Sequence, residues 1–212
     1  PDQNAAPFED FISDLARHFE RWDLSRLYKM AHYARVMPCN WKIAQEAFCE
    51  AYHVNATHPQ ILESLGDINS QVDVYENCAR VITPSVTPSP LLERQIPDED
   101  LLRSMMDIGV NEETPNLGGK MPRAWMAQNS REALRGAAGD LVDEYCDAEM
   151  VDNLDYTLFP NFHPWGAFNR IVYRFRPNGN DHRSSIMECI LLAPFQGERP
   201  PAAKMQWLEP DQ

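Results

Sequence analysis

No run of apolar residues in this chain approaches the roughly 20 needed to cross a bilayer, so no membrane partner is expected. Positive charge is short as well: 19 Lys and Arg stand against 32 Asp and Glu, and 19 − 32 leaves −13. A surface that acidic repels phosphate backbones, which excludes nucleic acid as an expected partner. Only 9 glycines occur in 212 residues, with no glycine-serine linker and no repeat, so residues 1–212 are expected to form a single domain with a full core. The cysteines, Cys39, Cys49, Cys78, Cys146 and Cys189, are odd in number and scattered, which suits a reducing cytoplasm rather than a disulfide framework. There is no charged-then-apolar leader, and a start at Pro1-Asp2-Gln3 without methionine reads as a cut from something longer.

What is present, 43% apolar and 10% aromatic residues, describes a globular chain. Phe8, Phe11, Ile12, Leu15, Phe19 and Trp22 recur at three- and four-residue steps and predict an amphipathic helix over 7–22. A strand is predicted over 28–37, ending at Pro38, and Asn40 can cap a helix over about 41–53. Next come a strand over 71–83 and a long loop marked by Pro84, Pro88, Pro90 and Pro97. A helix over 98–108 and a long one over 130–150, capped by Ser130, are expected after it. Strands follow at about 154–160, 169–176 and 184–193, the last two joined by the hairpin signal Pro177-Asn178-Gly179-Asn180. The tail from Pro200 is expected to pack loosely. Strands grouped late with long helices between them argue for an α+β chain, an antiparallel sheet with helices to one side.

The chemistry concentrates at Glu50-Ala51-Tyr52-His53 and at His58. At about 100° per residue Glu50 and His53 share a helix face, whereas His53 and His58 point about 140° apart. Both imidazoles can meet one ion only if the helix carrying His53 unwinds just after it. Val54-Asn55-Ala56-Thr57 permits that, and Pro59 pushes His58 towards extended geometry. Two neutral imidazoles with an open coordination sphere suit iron(II) once one carboxylate joins them.

These residues carry a family resemblance. The segments Asn40-Trp41-Lys42, Glu46-Ala47-Phe48, Glu50-Ala51-Tyr52-His53 and His58-Pro59 come first; Tyr156-Thr157-Leu158-Phe159-Pro160-Asn161-Phe162 and Asn169-Arg170-Ile171-Val172-Tyr173-Arg174-Phe175 follow downstream. Together they resemble the catalytic half of the large (alpha) subunit of Rieske-type aromatic ring-hydroxylating dioxygenases. The resemblance implies a helix-grip fold of the START/Bet v 1-like, SRPBCC kind, a curved antiparallel sheet around a long helix. It implies a non-haem iron oxygenase that activates dioxygen to hydroxylate an aromatic or related apolar substrate, with His53 and His58 as Fe(2+) ligands. In the family a carboxylate three residues before the first histidine links the iron to a neighbouring subunit's cluster. Aspartate is commoner there, so Glu50, one methylene longer, is a departure.

The resemblance also implies a third ligand, an aspartate on a helix after the last strand, which is expected past Gln212. Glu209 and Asp211 lie near the right distance along the chain but in the wrong context. No cysteine forms a C-x-H or C-x-x-H pair. The [2Fe-2S] Rieske cluster needs two ligands of each type, so it is expected only in a missing Rieske domain. Homotrimers, alone or with beta subunits, and a ferredoxin or reductase as electron donor follow from the same likeness. The fragment alone is expected to be inactive.

Plainer readings stand beside these. Asn40 is a helix cap or lies at the iron; Phe159, Asn161, Phe162, Phe168 and Tyr173 are substrate-pocket walls or core. Phe48 and Tyr52, four apart, are expected to pack the core. His18, His32, His163 and His182 have no partner spacing and read as surface or satisfied core residues, and the acidic run from Asp140 to Asp152 as a solvated helix face. A metal-free helix-grip module for a hydrophobic ligand is the alternative function. A zinc hydrolase is a third, lacking a general base at H-E-x-x-H spacing.

Overall fold

The computed structural model describes residues 3–109, 112–167 and 169–209. Its helices are α1 (Phe8–Phe11), α2 (Ser13–Phe19), α3 (Trp41–Glu46), α4 (Val54–Thr57), α5 (Asp98–Met106), α6 (Pro122–Ala138) and α7 (Asp147–Val151). Its strands are β1 (Leu27–Met37), β2 (Gln71–Val74), β3 (Cys78–Thr83), β4 (Asn153–Leu158), β5 (His163–Pro164), β6 (Ile171–Asn178), β7 (Asp181–Pro194) and β8 (Gln206–Trp207). The mixed α+β composition agrees with the sequence reading. Among the described residues no helix is long and apolar enough to cross a membrane.

The chain forms two compact units. A sheet unit comprises Pro1–Cys49, Asp73–Arg80 and Asp155–Gln212, and a helical unit comprises Glu50–Val72 and Val81–Leu154. In the sheet unit five strands run in the order β5-β6-β7-β1-β8. β1 and β7 pair antiparallel from Leu27↔Pro194 to Met37↔Ser185, and β6 and β7 close a hairpin at Asn178↔Asp181. The tail is more ordered than expected. β8 pairs parallel with β1 at Tyr33 and Ala34, and Leu208 donates its N–H to the Ala34 carbonyl at 2.9 Å. Those bonds occupy polar groups that β1 would otherwise leave on an open edge.

The predicted helix over 7–22 breaks into α1, α2 and a 3-10 turn, Glu20–Trp22. Its aromatics still pack: Phe19 and Trp22 meet Tyr156 edge-on at 5.1 and 6.2 Å. Gly166 is required beside them, because a Cβ there would lie 2.8 Å from Trp22 and 2.9 Å from Tyr156. The strand expected over 71–83 is two strands, turned at Tyr75, whose N–H bonds the Cys78 carbonyl at 2.8 Å.

In the helical unit the long helix starts at Pro122 rather than Ser130. Proline suits a first helical position, where its missing N–H costs nothing, and Gly139 at φ +62° ends the helix. Leu102, Ala127 and Val142 are fully buried in this unit. Asp152 departs from the solvated acidic run. Its carboxylate takes Arg123 in a two-pronged pair at 2.5 and 2.9 Å and accepts the Ser85 N–H at 2.9 Å.

Candidate functional site

Asn40 caps α3 as expected, its Oδ1 accepting the Lys42 N–H at 3.0 Å, while its Nδ2 donates to the His182 carbonyl at 2.9 Å. The helix is shorter than the predicted 41–53. It closes through tight three-residue turns, Phe48 N–H to Gln45 and Cys49 N–H to Glu46, both 2.9 Å. The Glu50 side chain then competes for the amides that would have continued it: Oε2 accepts from the N–H groups of Tyr52 and His53, the latter at 3.1 Å. With the helical period lost, Tyr52 leaves the Phe48 face and is 87% exposed, against the core role expected of it.

His53 thus sits at the start of α4 instead of inside a long helix, and His58 at its end. The His58 N–H bonds the Val54 carbonyl at 2.8 Å, which holds this residue at ψ 49°, short of the extended geometry expected before proline. Ala51, Val54, Leu62 and Leu65 form a buried cluster beneath the turn. The two imidazoles meet with ring centroids 5.4 Å apart and planes at 79°.

Glu50 Oε1 lies 2.7 Å from His53 Nδ1. A carboxylate accepts, so Nδ1 carries the proton and Nε2 is left as the lone-pair nitrogen. A carboxylate bonded to Nδ1 in this way fixes the tautomer and orientation that a metal-binding histidine needs. Both side chains are about 30% exposed, His53 at 29% and Glu50 at 30%. Among the described residues no group of three His, Cys, Asp or Glu side chains is arranged to hold a metal ion. The donor set therefore fits iron(II) for two ligands of three. Glu209 is exposed and Asp211 lies outside the described residues.

The aromatic candidates belong to the sheet unit. Tyr173 packs on Phe48 at 4.7 Å and on Trp165 at 6.1 Å; Phe162 is 36% and Phe159 57% exposed, and Asn161 half-buried. Phe168 lies outside the described residues.

Several buried polar groups escaped the sequence reading. His163 is 2% exposed and faces Thr157 Oγ1 at 3.1 Å through Nδ1, and its Nε2 is buried without a partner. It is therefore no satisfied core histidine, and burial pushes its pKa down to about 4. Asp155 Oδ1 is likewise buried and unpartnered, and burial pushes this carboxyl up to about 7. Burial, with smaller effects from Cys189 and Asp155, raises Tyr173 to about 12. On β7, Glu188 is fully buried and accepts from Arg174 at 3.0 and 2.5 Å and from Arg176 at 2.5 Å, with His32 Nε2 at 3.0 Å. Burial alone would raise the Glu188 pKa, but these hydrogen bonds outweigh it and hold the carboxyl below its usual value. Alternating Arg174 and Arg176 on one strand was the available signal.

The chain as a whole is similar to known proteins. The family described as ring hydroxylating alpha subunit (catalytic domain) matches over residues 14–211. A solved structure of the quaternary ammonium Rieske monooxygenase CntA with an inhibitor is similar at 13% identity and TM-score 0.51, over 90% of this chain and 38% of that one. Naphthalene 1,2-dioxygenase from Rhodococcus sp. bound to indole is similar at 17% identity and TM-score 0.47, over 91% of this chain and 42% of that one. The chain thus spans about two fifths of the length of these structures. The first likeness supports the helix-grip α+β fold expected from the sequence. No curated protein matches the chain.

Proposed function

The chain belongs to the ring-hydroxylating alpha-subunit family, in its catalytic domain, and on that premise we propose that it is the iron-binding part of a Rieske-type oxygenase. In this reading His53 and His58 hold Fe(2+), and a third, carboxylate ligand comes from outside the described residues. Iron so held supplies reductive activation of dioxygen, used to hydroxylate an aromatic or related apolar substrate. A [2Fe-2S] cluster on another domain or subunit, fed by a ferredoxin or reductase, would be its electron donor, within a trimer that can include beta subunits.

The chain's own residues do the holding. Glu50 keeps the proton of His53 on Nδ1, so Nε2 stays available to the metal. The Ala51, Val54, Leu62 and Leu65 cluster fixes the turn from one side. Phe159, Asn161, Phe162 and Tyr173 are proposed to touch substrate and to keep water from it. Glu50 is also the proposed link by which electrons arrive from the neighbouring cluster. The observation that carries the proposal is the Glu50 to His53 Nδ1 bond at 2.7 Å beside a second imidazole 5.4 Å away.

The test is made on the intact protein with reductant and oxygen. Stoichiometric iron, lost in His53→Ala, with oxygen-dependent product is the expected result. Wild-type iron content in that variant would reject the site. Tight ligand binding in chelator without any oxygen-dependent product would favour the metal-free binding module instead.

A further inference from the structure

We propose that one face of the five-stranded sheet docks a short, acidic, extended segment of another protein chain, held through Arg174, Arg176, Val36 and Trp207. The pairing register puts these residues on one face. Arg174, Glu188, Ala34 and Trp207 stand opposite one another across four strands, and Arg176, Ile186 and Val36 do so in a neighbouring row. Tyr173 and Phe175 alternate to the other face, where Phe48 packs on them at 4.7 and 5.3 Å. The inference needs no metal and stands apart from the oxygenase reading.

Charge marks this face out. Glu188 is the only carboxylate in those two rows, and it is fully buried. It is shared by Arg174 and Arg176, and through His32 it meets Lys29, whose Nζ lies 3.2 Å from His32 Nδ1. Three cations thus surround one anion, on a chain whose net charge is −13. Arg174 uses Nε and Nη2 on Glu188 and Arg176 uses Nε; their other guanidinium N–H groups have no partner among the described residues. The buried carboxylate holds both forks in place, so they lose little freedom on taking a second anion. The forks alternate along β6 about 6.6 Å apart, the spacing of every second side chain in an extended segment. Val36 and Trp207, 50% and 52% exposed, offer apolar contact on the same face. Trp beside Arg is the combination that protein interfaces favour, and a free anion would leave both apolar groups uncovered. A nucleic acid or an anionic membrane would meet the charge of the whole chain, whereas two carboxylates on a short segment meet only the basic rows.

The intact protein is titrated by calorimetry with the peptide acetyl-Leu-Leu-Glu-Val-Glu-Leu-Leu-amide and with its counterpart carrying Gln for both Glu. The acidic peptide is expected to bind about tenfold tighter, the worth of two partly exposed ion pairs. That preference should shrink as NaCl rises from about 0.05 to 0.5 M. Arg176→Gln should reduce it and Trp207→Ala should weaken both peptides several-fold. Val36→Glu, a change at an exposed position outside the Glu188 network, should abolish binding of the acidic peptide and keeps the test decisive if Arg176→Gln misfolds. Equal binding of the two peptides, no saturable binding of either, or unchanged binding in Val36→Glu would each overturn the proposal. So would dissociation of the protein's own assembly by Val36→Glu in sedimentation, which would put a second copy on this face. Binding of phosphatidylserine vesicles that is lost in Val36→Glu would overturn it in favour of a membrane.

Discussion

The histidine turn of the helical unit and the polar groups of the sheet unit find their partners at very different distances along the chain. Glu50 reaches His53 three residues away, whereas Glu188 reaches Arg174 over 14 positions and His32 over 156. The exposures differ in step. Glu50 is 30% exposed and its bond is a charge-assisted one in partial solvent; Glu188 is fully shut away and must be matched by cations. A local, half-open arrangement can be tuned for chemistry at modest cost to the fold. A buried, long-range one stabilises the sheet only while it is complete. Substitutions in the two places should therefore separate activity from stability.

In the histidine turn the effect is expected on turnover and not on stability. Glu50→Gln keeps shape but weakens the charged bond to His53, and the supporting carboxylates of metal histidines are worth roughly 10–100-fold. Turnover of the intact protein should fall by that factor with iron retained and unfolding unchanged. A wild-type rate would make Glu50 a surface charge. Loss of iron would make it chiefly a support of His53.

The mirror experiment sits in the sheet. Glu188→Ala strips two guanidinium groups of their shared anion, and breaking a buried pair from one side costs about 3–5 kcal/mol. Urea unfolding should show that loss. A change below about 1 kcal/mol would mean that Arg174 and Arg176, each partly exposed, turn to water without penalty.

Asp155 and His163 sharpen the same contrast through pH. The Asp155 carboxyl, near 7 folded against about 3.9 unfolded, binds more protons in the folded state between those values. Its contribution to stability thus falls as pH rises from about 4 to 7, by up to about 4 kcal/mol. His163, near 4 folded against about 6.5 unfolded, binds fewer protons when folded. Its contribution rises over that window by up to about 3 kcal/mol, so the two slopes oppose each other. Asp155→Asn removes only the first. Urea unfolding at a series of pH values should find the variant gaining on the wild type steadily from pH 4 to 7. A constant difference would show that Asp155 titrates as in the unfolded chain.

The separation of partners also explains what could be read from the sequence. Asn40 as a cap, β1 ahead of Pro38, the hairpin at Gly179 and the proximity of His53 and His58 all rest on signals a few residues long. The surroundings of Asp155 and His163 depend on strand pairings that no local pattern encodes, and for Glu188 the only local signal is the alternation of Arg174 and Arg176 on the strand beside it. The helix ends at Glu46, short of the expected 41–53, for a related reason. Helical periodicity makes Glu50 a helical residue, whereas its carboxylate takes the Tyr52 and His53 amides out of the helix. Ser130 offered a plausible cap, but Pro122 and Gly139 set the helix limits more strongly because each fixes backbone dihedrals rather than one hydrogen bond.

Asn40 gives the smallest expected effect and tests whether this residue is a helix cap or acts at the metal. Its side chain makes two bonds, accepting from the Lys42 N–H at 3.0 Å and donating to the His182 carbonyl at 2.9 Å. Both are exposed, so water can replace either partner, and an N-cap deletion costs about 1 kcal/mol. Asn40→Ala should lose about that much in urea unfolding, and Asn40→Asp should recover most of it, because the carboxylate still caps α3 while giving up the His182 bond. Iron content and turnover of the intact protein should stay at wild-type levels in both. If iron were lost in Asn40→Ala with the unfolding midpoint unchanged, Asn40 would act at the metal rather than as a cap alone.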